Sequence, residues 1–118
     1  MHSRLAQIRA EIDAARLLAF EAAWLKGQGR AARDLVVMAK IYATEMSVRT
    51  ADAAMRTLGG WGYSKDHAVE RLYRDSLANV PAGLPTDRLR ELLACPMVGV
   101  DAWAYEPFDW LTPAGLRI

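Results

Sequence analysis

The side chains best suited to chemistry are few. The 118-residue chain holds one cysteine, Cys95, and two histidines, His2 and His67. A metal centre needs clustered His, Cys and carboxylate ligands. His2 stands near the terminus and His67 has only Asp66 and Glu70 close by in sequence, so no metal site is expected. One cysteine and one internal histidine do not spell a Cys–His or Ser–His–Asp device. Cys95, followed by Pro96, reads as a small packed side chain rather than a nucleophile. No G-x-x-x-x-G-K-[ST] phosphate loop is present. The more informative run is Leu58-Gly59-Gly60-Trp61-Gly62-Tyr63. Its glycines either stop a helix or leave bare backbone that a ligand or another segment can approach closely.

The flanking elements are read as helices. Residues 4–26 contain no Gly or Pro, and Leu5, Ile8, Ile12, Ala15, Ala19, Ala22 and Ala23 recur at helical spacing. Leu18 and Leu25 lie beside them, and Gly27-Gln28-Gly29 stops the helix. A second helix is predicted over 31–58, with Leu35, Met38, Ala39, Tyr42, Met46, Arg49 and Ala53 along it. At 1.5 Å per residue it would run roughly 42 Å, a length typical of a bundle. Three glycines within residues 59–62 predict a loop there. A short helix over 68–77 would pair Glu70 with Arg74 and Arg71 with Asp75. Pro81, Gly83 and Pro85 mark a turn, and a last helix is predicted over 86–94, with Asp87 in its first turn. Residues 1–95 are thus expected to form an all-α, antiparallel helical bundle. Residues 96–118 are expected to form an irregular tail that packs on the bundle or on a partner, since Trp103, Tyr105, Phe108 and Trp110 crowd together there.

Composition bounds the function classes. The chain is 53% hydrophobic and 25% charged, with a formal charge of +1. That composition predicts a packed domain. The balanced charge gives no electrostatic reason to bind nucleic acid or an anionic membrane. One cysteine fits a reducing compartment, no run reaches the roughly 20 apolar residues that span a bilayer, and the N-terminus lacks a compact apolar signal core. A cytoplasmic location is therefore expected.

From about Leu5 to Ala94 the sequence resembles the C-terminal helical domain of acyl-CoA dehydrogenases. The resemblance rests on Glu11-Ile12-Asp13-Ala14-Ala15-Arg16-Leu17-Leu18, Ala22-Ala23-Trp24-Leu25 and Met38-Ala39-Lys40-Ile41-Tyr42-Ala43. The Gly-Gly-x-Gly-Tyr run and Val69-Glu70-Arg71-Leu72-Tyr73-Arg74-Asp75 complete it, in order and at family-like spacing. It implies a bundle that packs against other subunits, as a homo-oligomer or with a chain supplying further domains. It also implies part of a site for FAD, whose adenosine-diphosphate half lies near the Gly-Gly loop while another subunit holds most of the flavin. Carried over, the cofactor-binding candidates are Arg56, Thr57, Gly59 and Gly60. The family often has Gln where Arg56 stands; Arg here either favours the pyrophosphate charge or is a solvated helix residue. Arg71, Arg74 and Asp75 form either a bracing ion-pair cluster or a contact to a phosphate of the cofactor or of CoA.

The sequence also departs from the family. Its α,β-dehydrogenation of acyl-CoA thioesters needs a carboxylate to take the α-proton, and many members supply a Glu shortly after the Arg-Asp pair. Aligned on Arg74-Asp75 and Arg90, that position falls on Gly83, or on Ala82 with a one-residue shift. Neither accepts a proton, so no catalytic residue is assigned. The flavin-contacting positions beyond it fall on Pro85 and Asp87, and Asp87 is a poor substitute base. The family's N-terminal helical domain, its middle β-domain and the first helix of its C-terminal bundle have no counterpart here. The expected function is therefore a share of the oligomer core and of the FAD site in an acyl-CoA dehydrogenase-like protein, with acyl-CoA as substrate and no competence alone. The alternative is a non-redox interaction module. A third reading gives new acid–base chemistry to Glu106 or Asp109. The groove left by the absent helix predicts self-assembly through the long helices or covering by the aromatic tail over 101–111.

Overall fold

Two glycine-punctuated hairpins and one central helix organise the molecule. The structure is a computed structural model that describes residues 2–100. Among these residues it holds five α-helices and no strand: α1 His2–Gly27, α2 Arg33–Leu58, α3 Gly60–Tyr63, α4 Ala68–Ala78 and α5 Thr86–Ala94. A 3₁₀ turn, Cys95–Val98, follows α5, so the first residues after the bundle are regular. The tail aromatics, Glu106 and Asp109 lie outside the described residues, as does the expected covering of the bundle by residues 101–111.

Helix α1 runs unbroken because nothing before Gly27 interrupts it. Its end is closed by Arg30 N–H donating to Leu25 O at 3.0 Å and Gln28 N–H to Trp24 O at 3.1 Å, with Gly29 at φ 66°. That left-handed closure satisfies the orphan carbonyls of the last turn. The chain then reverses into α2, and the two long helices lie antiparallel, with Arg49 of α2 donating to Glu11 of α1 at 3.1 Å.

The seam between them is narrow. Ala15 and Ala22 are buried, and Ile8, Ile12, Leu18 and Leu25 are half-buried. The small alanines let the helix axes approach. Leu5, Ala19 and Ala23, expected on the same face, are exposed. The reason is that α1 touches α2 alone among the described elements, so only the middle of its apolar face is covered.

Helices α4 and α5 pack on α2. Leu89 and Leu92 of α5 form the core cluster, with Val37, Ile41, Leu84 and Cys95 packed against them. Cys95 is thus a packing residue, as its sequence context suggests. Pro85 leads α5 with φ −56°, and Thr86 behind it is buried. Lys40 of α2 donates to the Asn79 carbonyl at 3.0 Å, placing a cation at the C-terminal end of α4. Arg90 ties α5 to α2 through Glu45 and bonds Asp87 at 2.8 Å.

Two local expectations are corrected. The expected glycine loop contains the helical turn α3, because Gly59 alone breaks the helix and the chain re-enters helical geometry at Gly60. The expected Arg71–Asp75 pair does not form, whereas Arg74 reaches Glu70 at 3.5 Å. The bracing cluster is therefore a single i,i+4 contact between exposed Arg74 and half-buried Glu70.

Candidate functional site

All four predicted cofactor-binding residues sit at one place, the C-terminal end of α2 and its junction with α3. The helix closes by Gly59 N–H donating to Met55 O at 3.0 Å. Gly59 then takes φ 56° and ψ −132°, a backbone region dominated by glycine. Gly62 N–H donates back to Gly59 O at 3.0 Å, which starts α3.

The glycines differ in what holds them. A Cβ on Gly62 would lie 2.8 Å from Met55 O and 3.3 Å from Leu58 Cβ, so this residue must be bare for α3 to fold against α2. Gly59 is bare because of its dihedrals. Gly60 has neither constraint. It has no left-handed φ, and nothing stands within 4 Å of an added Cβ. Among the described residues its missing side chain serves no packing, and its backbone is open to an incoming group.

Arg56 and Thr57 occupy adjacent flanks. Arg56 Nε donates to Asp52 Oδ2 at 2.7 Å, and that hydrogen bond, with the charge of Asp52 behind it, raises the guanidinium pKa further. The bond engages Nε alone. Thr57 Oγ1 donates to Ala53 O at 2.7 Å, which leaves its oxygen free to accept. Two grooves meet here between the start of α1 and the end of α2. An apolar one of about 670 Å³ carries Thr57, Leu58, Ala53, Ala54, Leu5 and Ile8. A polar one carries Arg56 with Arg4, Arg49, Glu11 and Asp52. Arg4 and Arg49 escaped the sequence reading. They join Arg56 only because α1 returns antiparallel along α2, a contact between positions far apart in sequence.

The position expected for a catalytic carboxylate lies elsewhere. Gly83 belongs to the turn between α4 and α5, at φ 70°. That turn follows Asn79, whose carbonyl is held by Lys40. From Lys40 to Arg56 along α2 is roughly 24 Å at 1.5 Å per residue. Within one chain, the Gly-Gly junction and the Gly83 turn therefore cannot address the same small group. Asp87, beside that turn, is exposed and paired with Arg90 at 2.8 Å. Arg71 and Asp75 lie exposed on α4.

His67 is stacked edge-on against Trp61, ring centres 5.5 Å apart. No group of three His, Cys, Asp or Glu side chains that could hold a metal occurs among the described residues. No helix among them is long and apolar enough to cross a membrane.

Comparison with known proteins gives a family match over residues 1–95, to the acyl-CoA dehydrogenase C-terminal domain. Similar proteins include a glutaryl-CoA dehydrogenase of Desulfococcus multivorans, 48% identical over 73 residues, covering 61% of this chain and 19% of that protein. A probable acyl-CoA dehydrogenase, YngJ, of Bacillus subtilis is 41% identical over 73 residues, covering 62% of this chain and 19% of that protein. A 3-(aryl)acrylate reductase of Clostridium sporogenes is 39% identical over 72 residues, with 61% and 19% coverage. The chain spans about a fifth of the length of these relatives.

Proposed function

Given that the chain belongs to the acyl-CoA dehydrogenase family, as its C-terminal helical domain, we propose that it contributes to an oligomer core and to the diphosphate side of an FAD site. The observation that carries this reading is Gly60, whose open backbone has no structural reason among the described residues. The residues fit the group. Arg56 has terminal amines left over after Nε binds Asp52, suited to a pyrophosphate. Thr57 offers an acceptor oxygen, and Gly59 sets the turn that presents Gly60.

FAD, when bound, supplies the two-electron acceptor for α,β-dehydrogenation of an acyl-CoA thioester. The chain's own residues bind and orient its diphosphate end. They hold no proton acceptor at the position where many relatives place one, since Gly83 stands there. A base and a flavin-ring pocket then come from sequence or subunits beyond residues 2–100, and the chain is not competent alone. Residues 1–95 act as the family unit, and residues 96–118 as a tail that packs on the bundle or on a partner.

Gly83 favours the second reading, a non-redox interaction module. Equilibrium dialysis against FAD and against ADP, of the 118-residue chain alone and together with a chain that supplies the missing domains, separates the two. Saturable binding of both is expected, weakened about tenfold or more by Arg56→Ala, as loss of a hydrogen bond to a charged group implies. Absence of binding in every combination, or binding indifferent to Arg56→Ala and Gly60→Val, would favour the interaction module instead.

A further inference from the structure

Helix α1 carries a second apolar stripe. Leu17, Phe20 and Trp24 follow one another at i, i+3 and i+7 on the side roughly opposite Ala15 and Ala22, which pack on α2. They are 69%, 69% and 57% exposed. Arg30 lies over the Trp24 ring at 5.9 Å and covers only part of it. Toward the N-terminus the stripe ends at Asp13, which Arg9 holds at 2.8 Å. The three side chains leave on the order of 400 Å² of apolar surface in one block. Set against a patch of equal size, the contact removes about 800 Å², short of the roughly 1,200 Å² at which specific interfaces between free chains begin. A segment tethered to the same chain needs less, because the tether supplies a local concentration on the order of millimolar.

Residues 101–111 start within reach. Val100 N–H donates to Cys95 O at 2.9 Å, and Cys95 packs on the Leu89–Leu92 cluster together with Val37 and Ile41 of α2. The Arg49–Glu11 hydrogen bond sets the register of α1 on α2. Counted equally from that bond along the antiparallel pair, Phe20 stands level with Lys40, between Val37 and Ile41. The stripe and the root of the tail therefore lie at one level along α2. Neighbouring helix axes are roughly 8–10 Å apart and a helix has a radius of about 5 Å, so the outer side of α1 is on the order of 25 Å from α5. Extended chain covers about 3.3 Å per residue, which carries Phe108 about 26 Å and Trp110 about 33 Å from Val100. The other apolar groove, beside Leu5 and Leu58, lies about 25 Å further along α2 from Ile41.

The charges are complementary. Residues 101–111 carry Asp101, Glu106 and Asp109 and no Lys or Arg. On the stripe, Arg16 borders Phe20, is 66% exposed in its side chain and reaches Asp13 only at 4.0 Å. Arg30 stands at the Trp24 end and makes no ion pair among the described residues. Glu21 borders the opposite edge, beside Leu17, and so directs an acidic segment toward Arg16 and Arg30.

We propose that residues 103–110 lie across the Leu17–Phe20–Trp24 stripe of their own chain, with Phe108 and Trp110 on its apolar side chains and Glu106 and Asp109 toward Arg16 and Arg30. The proposal rests on the reading of residues 96–118 as a packing tail and names the surface it covers.

Carbodiimide coupling, which joins a carboxylate to an amine in contact with it, tests the placement in the 118-residue chain. The native amines are those of Lys26, Lys40, Lys65 and the N-terminus; Arg16→Lys and Arg30→Lys each put one at the edge of the stripe. An equal mixture of ¹⁵N-labelled and unlabelled chains, mapped by mass spectrometry, separates links within a chain from links between copies, and circular dichroism controls the fold. Each introduced amine is expected to couple to Glu106 or Asp109 within one chain, and adding Phe20→Glu should cut that yield about tenfold. In hydrogen exchange, Phe108→Ser with Trp110→Ser should speed the α1 amides over 17–24 about threefold or more and leave α2 beside Leu89 and Leu92 unchanged. Three results would overturn the proposal: coupling chiefly to Lys40, Lys65 or the N-terminus, which keeps the tail on the bundle but elsewhere; links of mixed isotope, which give the stripe to a second copy; and no coupling at either introduced amine with α1 exchange indifferent to the tail. Dialysis against ADP judges the cofactor reading separately, since Arg56 stands at the other end of the long helices.

Discussion

Replacing Gly62 by alanine would drive a methyl carbon to 2.8 Å from the Met55 carbonyl oxygen. Because that neighbour is backbone, the clash cannot be relieved by a rotamer change, and a loss of about 1–3 kcal/mol is expected in thermal or urea melts. Gly60→Ala tests the adjacent residue with the opposite sign. Its backbone is helical and its surroundings are empty. Stability should therefore hold or rise by up to about 1 kcal/mol, while FAD and ADP binding falls. This contrast was not legible in the sequence. Three closely spaced glycines announce a break, but only the packing of α3 on α2 separates the one held by dihedrals, the one held by contact and the one left open. Arg71 and Asp75 teach the same caution, since i,i+4 spacing permits a pair and does not make one.

Between α1 and α2 the polar link is Glu11 with Arg49 at 3.1 Å, supported by Gln7 at 3.1 Å. The hydrogen bond from Arg49, and then that from Gln7, hold the Glu11 carboxyl below its ordinary value of 4.5. A carboxylate depressed by folding adds stability that is complete above its unfolded pKa and lost as pH falls through the folded one. Arg49→Gln should therefore lower the melting temperature at neutral pH. The gap from wild type should narrow below about pH 4.5 and close once Glu11 is protonated in both. Helix bounds were largely readable, because glycine and proline punctuate this chain so clearly; α5 falls on 86–94 as expected. The second stripe of α1 was not. Leu17, Phe20 and Trp24 interleave with Leu18, Ala19 and Ala23, and a helix apolar in so many positions yields no single phase to count.

At the level of the whole arrangement, the described residues pack openly. The radius of gyration is 17.3 Å and the extents are 49 × 29 × 26 Å, against about 13 Å for a compact chain of 100 residues. No side chain among the described residues is fully buried. Stability should then hang disproportionately on the Leu89–Leu92 cluster. Leu89→Ala is expected to cost about 2–3 kcal/mol in urea denaturation, near the low end for core leucines, since the site borders solvent and can collapse. This openness follows from layering. Helix α2 is central, with α1 on one side and α4 and α5 on another, and no described element joins the outer layers.

That layering also dictates how the molecule comes apart. A helix gripped by a single neighbour can peel away like a strip from its backing, while the rest stays knit. Amide protons of α1 should exchange with deuterium through a low-energy partial opening, well before those of α2 beside Leu89 and Leu92. Anything that pairs with α1 on its outer side would slow that exchange first, and so register its arrival far from where it binds.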